Sequence, residues 1–114
     1  MVSSGKRDEQ VYLIDILECI ARLEEYTNGK TEADFSTDAM LKDAVIRRIE
    51  IIGEAMNSIP ESFTEQYPEI PWREIVAMRN IIVHEYFGVM DERIWDVIKR
   101  DIPKLKEQIE ALIA

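Results

Sequence analysis

The segment Arg79-Asn80-Ile81-Ile82-Val83-His84-Glu85-Tyr86 carries the side chains best suited to chemistry, including the only histidine of the chain. Imidazole moves a proton near neutral pH, and guanidinium binds a phosphate and stabilises developing negative charge. Together they are the minimum set for metal-free phosphodiester cleavage in RNA, where the 2′-hydroxyl is a built-in nucleophile. Taken singly, each residue has a plainer role. His84 suits a helix C-terminus, where a cation complements the dipole. Arg79 suits an ion pair with Glu50 or Glu54. Tyr86 suits core or interface packing with its hydroxyl at the edge.

Two features set this segment apart. On a 3.6-residue helix Arg79 shares a face with Trp72, Ile75, Val76, Ile82, Val83 and Tyr86, so a charge sits where an apolar side chain belongs. Such a charge is costly unless it is paired or lines a cleft. Arg79 and His84 are also five residues apart, which on a regular helix turns them about 140° from each other. Asn80 and His84 share one face, and Arg79 and Tyr86 another. Either the helix unwinds near His84, or two copies of the chain build the site.

The elements that must carry these residues read as helices. A first helix spans about residues 8–27, with Asp15, Glu18, Arg22 and Glu25 as a narrow polar stripe. Val11, Leu13, Ile14, Ile16, Leu17, Cys19, Ile20 and Leu23 cover most of the rest, a wider arc than one core-facing stripe requires. The second side of that helix is a place for another subunit. Asn28-Gly29 is a stop signal. Residues 30–35 read as a polar connection, and Ser36 as the N-cap of a second helix, about 37–58, with Asp38 in its first turn and a Phe35–Met40 staple. Its buried face is expected to hold Leu41, Ala44, Val45, Ile49, Ile52, Ala55, Met56 and Ile59, with Arg48 among them. Pro60 ends it. Residues 61–67 allow a short helical turn. Pro71 suits the first turn of a third helix, about 71–85, and Gly88 its end. Asp91 can cap a last helix, about 92–112, facing Ile94, Trp95, Ile98, Leu105, Ile109 and Leu112 inward and kinked at Pro103. The fold class that follows is all-α: an antiparallel bundle of four main helices plus a short helical turn, in one domain over residues 1–114, with about 1–7 a flexible N-terminus.

Composition narrows the functional classes. An apolar fraction of 46% is too high for intrinsic disorder, and no apolar run reaches the ~18 residues of a membrane span. The N-terminus lacks the apolar stretch of a signal peptide, and the lone Cys19 reads as a reduced core thiol; the expected location is the cytoplasm. With one histidine, one cysteine and no ligand-spaced cluster, neither a metal site nor a cofactor is expected. The net charge of −9 disfavours broad binding to nucleic acid, so any such chemistry must be local or assisted by dimerisation or a partner.

The motif resembles the Arg-x4-6-His signature of HEPN domains. With Tyr86 it becomes Arg-x4-His-x-Tyr, the form carried by HepT-like toxins of HepT/MntA systems. The resemblance extends to Arg47-Arg48-Ile49-Glu50-Ile51-Ile52-Gly53-Glu54-Ala55, to Ile70-Pro71-Trp72-Arg73-Glu74-Ile75-Val76-Ala77-Met78, to Tyr86-Phe87-Gly88 and to Ile94-Trp95, leaving only about seven residues outside. It implies a HEPN-like helical bundle that homodimerises, so that the motifs of two protomers face one cleft. It implies a metal-independent endoribonuclease, the toxin of a type VII HEPN/MNT toxin–antitoxin pair. Arg79 and His84 would then be catalytic and Asn80 supporting, with Arg48, Glu50 and Glu54 as candidate cleft lining. The implied partners are an RNA substrate and an MntA-like nucleotidyltransferase antitoxin that silences the toxin by AMPylation of Tyr86. DNA and membrane are not among them. The competing expectation is a non-catalytic HEPN module that binds a nucleotide or partner, which suits the acidic charge.

Overall fold

A computed structural model describes residues 5–84 and 91–113, with side chains from Glu9 onward. Tyr86 and Gly88 lie outside the described residues, as do residues 1–4 of the expected flexible N-terminus. Helix α1 spans Gly5–Thr27, α2 Glu32–Thr37, α3 Ala39–Ser58, α4 Glu61–Thr64 and α5 Trp72–His84. The C-terminal segment runs through α6, Asp91–Asp96, a π-helical turn, Val97–Asp101, and α7, Ile102–Ile113. Among the described residues there is no strand, and the architecture is the expected all-α bundle.

Helix α3 is central, packed by α1 on one side and α5 on another, while α7 lies against α1. The first helix inserts Leu13, Ile16, Cys19, Ile20 and Leu23 into the core at helical spacing. Full burial of side chains of this size contributes roughly 1.5–3 kcal/mol each. The rest of its wide apolar arc stays outside: Val11 is 50% exposed and Ile14 46%. From α3 the core takes Leu41, Val45, Ile46, Ile49, Ile52, Ala55 and Met56, while Ala44 is only half-buried.

The chain ends α1 as its sequence implies. Gly29 adopts φ 73°, open to glycine at no steric cost, and Lys30 N–H donates to Thr27 O at 3.0 Å. The segment after it differs from expectation. Residues expected as a polar connection form α2, because Thr31 and Asp34 make a reciprocal capping box: Asp34 N–H donates to Thr31 Oγ1 at 3.1 Å and Thr31 N–H to Asp34 Oδ2 at 2.9 Å. These bonds hold the Asp34 carboxyl below its usual range. Ser36 therefore lies inside α2 and is not an N-cap. That role falls to Asp38, whose Oδ1 accepts from Leu41 N–H at 3.1 Å. Nor is there a Phe35–Met40 staple: Phe35 is fully buried against Trp95, with ring centroids 5.8 Å apart, and Met40 is 83% exposed.

Helix α3 stops where Pro60 demands, with Ile59 in extended conformation. Trp72 opens α5, its ring buried and its Nε1–H donating to Tyr67 O at 3.0 Å. Asp91 falls in the first turn of α6, where its carboxylate meets Lys42 Nζ at 2.9 Å and ties α6 to α3. The expected interruption at Pro103 takes the form of the π-turn. Proline offers no N–H to the Lys99 carbonyl, and one residue earlier Ile102 N–H reaches back five residues to Val97 O.

Candidate active site

Arg79 emerges from α5 directly over α3, and Gly53 makes this possible. A Cβ at Gly53 would collide with the Arg79 Cβ and lie 2.8 Å from its Cγ. The two helices can therefore approach with the arginine stem between them. The side chain is 28% exposed, so the guanidinium reaches the surface while its stem is covered. Nη2 pairs with Glu54 Oε2 at 3.4 Å, and Nη1 donates to Asn80 Oδ1 at 2.8 Å. Nε is buried without a partner among the described residues. The apolar face thus tolerates Arg79 because glycine gives it room and a carboxylate and an amide hold its head.

Of the two acidic candidates, Glu54 is the partner of Arg79; Glu50 pairs instead with Arg47 at 3.6 Å on its own helix. Arg48 is placed elsewhere. Its Nη1 lies 4.0 Å from Cys19 Sγ on α1, and Arg48 and Gly53, five residues apart, point about 140° apart around α3. The structure does not bring Arg48 to Arg79. Cys19 is free and buried, and that burial pushes its thiol pKa up, against the opposing pull of Arg48.

His84 is the last described residue of α5, exposed, and makes no hydrogen bond or ion pair among the described residues. The helix stays α-helical through it. Arg79 and His84 therefore diverge as their spacing requires, and within one chain they do not converge. Asn80 bonds to Arg79, not to His84. Beside Asn80 an open cleft of about 400 Å³ runs between the end of α3, α4 and α5. Among the described residues no group of three His, Cys, Asp or Glu side chains could hold a metal, and no helix is long and apolar enough to cross a membrane.

A family model described as ribonuclease HepT-like matches residues 16–112 of the chain, a span that includes Gly53, Glu54, Arg79, Asn80 and His84. The chain belongs to the HepT-like ribonuclease family. Among its relatives is the protein named "Probable ribonuclease HepT" of Thermococcus cleftensis, 47% identical over 94% of this chain and 97% of that protein. A "Putative RNase" of Methanocaldococcus jannaschii is 42% identical over 93% of this chain and 97% of its own length. Another protein of that organism, named "Gamma-glutamylcyclotransferase and putative RNase", is 55% identical over 91% of this chain, which spans only 47% of that longer protein. No solved structure matches the chain. HepT-like membership makes ribonuclease the enzyme class, in line with the resemblance carried by the Arg79–His84 motif.

Sequence reasoning offered Glu50 and Glu54 alike as partners of Arg79, set Asn80 on the face of His84, and gave Gly53 no role. The signal was available. A glycine in a helix interior costs about 1 kcal/mol relative to alanine and suggests close packing.

Proposed function

We propose that this chain is the toxin of a type VII HEPN/MNT toxin–antitoxin pair, a metal-independent endoribonuclease whose site forms between two copies. The observation that carries this reading is the partly exposed Arg79 guanidinium, fixed by Glu54 and Asn80 and turned away from His84 on a helix unbroken through that residue. A second copy supplies the convergence that one helix denies. The exposed Val11 and Ile14 of α1 and Val83 of α5 offer apolar surface for that copy.

In the reaction, the 2′-hydroxyl oxygen attacks phosphorus and the bond to the 5′-oxygen breaks. An imidazole accepts the 2′-hydroxyl proton, and the leaving oxygen takes up a proton from a second imidazole or from water. The product ends in a 2′,3′-cyclic phosphate. Arg79 holds the scissile phosphate and stabilises the pentacoordinate state, with Asn80 fixing the guanidinium. A nucleotidyltransferase partner transfers AMP from ATP to the Tyr86 hydroxyl and releases pyrophosphate. The added phosphate then pairs with Arg79 and blocks the substrate.

Incubation of the purified protein with total RNA in chelator, beside His84→Ala and Arg79→Ala, tests the nuclease reading. Each substitution is expected to lower the cleavage rate by ~10²–10⁴-fold without unfolding the protein. Undiminished cleavage by His84→Ala sinks the mechanism. A wild type that binds a nucleotide or a protein partner but cleaves no RNA favours the non-catalytic module, the alternative that the −9 charge supports. The silencing step is tested by mass spectrometry after co-incubation with the transferase, ATP and Mg²⁺. An adduct on Tyr12, Tyr26 or Tyr67, or silencing of Tyr86→Phe, rejects it.

A further inference from the structure

A protein of net charge −9 cannot hold RNA by a general electrostatic grip, so the strand needs a local hold. The cleft beside Asn80 offers one. Along α5, Arg73, Ala77 and Asn80 follow at helical spacing and all three line it. Asn57 faces them from the end of α3, and the buried Trp72 and half-buried Val76 give it apolar wall. About 400 Å³ falls within the range of small-molecule sites.

We propose that this cleft is a subsite for a single nucleotide of the RNA strand, next to the scissile phosphate held at Arg79. The inference rests on the reading of Arg79 and His84 as the cleavage groups. The cleft is continuous with that site because Asn80 lines it and accepts from Arg79 Nη1 at 2.8 Å. Arg73 lies six residues before Arg79, about 9 Å along the helix axis and about 120° around it, so the two guanidinium groups do not share one phosphate and a strand that meets both must wrap around α5 past Asn80. The amides of Asn57 and Asn80 each combine donors and an acceptor, as a base edge requires, and the apolar wall suits a base face. Glu61 also lines the cleft. Its carboxylate disfavours a ligand that is anionic throughout and suits a neutral base carried beside one phosphate. An unpaired nucleotide fits this mixture; the closed edge of a duplex does not, because its base cannot leave the stack.

The test uses the full chain and a labelled single-stranded oligoribonucleotide. Arg73 and Asn57 are both exposed on helix surfaces, so Arg73→Gln and Asn57→Ala are expected to fold normally. Each should raise KM about tenfold with kcat within twofold. On a His84→Ala background, fluorescence anisotropy should show the same weakening, and Arg73→Gln should flatten the salt dependence of binding by about 0.7 in log–log slope, the loss of one single-strand phosphate contact. AMP should compete with RNA in the wild type and lose that competition in Arg73→Gln. If both variants keep KM, binding and salt slope while His84→Ala still abolishes cleavage, the subsite is wrong and the catalytic reading survives. If wild type does not cleave but Arg73→Gln and Asn57→Ala weaken RNA binding, the catalytic reading fails, and the cleft stands as a nucleotide-binding site with no scissile phosphate beside it. AMP that binds the cleft without displacing RNA separates the pocket from the strand and overturns the proposal.

Discussion

At the scale of single residues, Arg79 depends on a neighbour that has no side chain. Its stem fills the place a Cβ at Gly53 would occupy, so Gly53→Ala must move either the arginine or the helix. Overpacking costs roughly 1–3 kcal/mol, offset by about 1 kcal/mol of helix propensity. The expected outcome is a small fall in melting temperature with a cleavage rate reduced at least tenfold. A Gly53→Ala protein with full activity would show that Arg79 does not require this seat. Cys19 supports a separate expectation. Burial raises its thiol pKa, so the native protein should resist thiol reagents near neutral pH and react only when denatured. The linked stability is complete below the unfolded thiol pKa and is lost as pH rises through the higher folded value. Rapid labelling of the native protein at neutral pH would refute that burial.

At the scale of elements, the boundary between α2 and α3 was only partly legible. Thr31, Asp34, Ser36 and Asp38 are all residues that cap helices, and the sequence placed the cap on the wrong one. Position decides between them. Thr31 and Asp34 close one helix, which leaves Ser36 inside it and Asp38 at the head of the next. Asp38→Ala should therefore cost about 1 kcal/mol, whereas Ser36→Ala should change stability by less than about 0.5 kcal/mol. Denaturant titration of both variants distinguishes the two assignments, and equal losses would revive the cap at Ser36. By contrast, Gly29, Pro60 and Pro103 acted where the sequence put them, because each imposes or forbids a backbone conformation without help from its neighbours.

At the scale of the whole molecule, Val11 and Ile14 leave apolar surface on α1 that its own core does not use. We expect a homodimer seated on this face, and Ile14→Asp should dissociate it while preserving the helical circular dichroism. Cleavage should fall with dissociation, since the proposed site needs two copies. Sedimentation at micromolar concentration, paired with the RNA assay, gives the answer. A monomer that cleaves RNA at the wild-type rate would defeat the composite site.

The sequence by itself determined the all-α class, the helix stops at Gly29 and Pro60, most core positions, and the motif that carries the family resemblance. Periodicity and backbone restriction are local, so they can be read from one chain without coordinates. It also implied that Arg79 and His84 diverge on a regular helix, but left open an unwinding near His84 that only the continuous α5 decided against. Only the tertiary structure decided what holds Arg79. Glu50 and Glu54 are equally available by composition, and the choice of Glu54 follows from how α5 crosses α3 at Gly53. The same crossing separates Arg48 from the site and sends it toward Cys19. Which face of α1 is buried was likewise a tertiary matter. An apolar arc wider than its contact stripe does not say which part meets the core, and only the packing against α3 and α7 leaves Val11 and Ile14 outside.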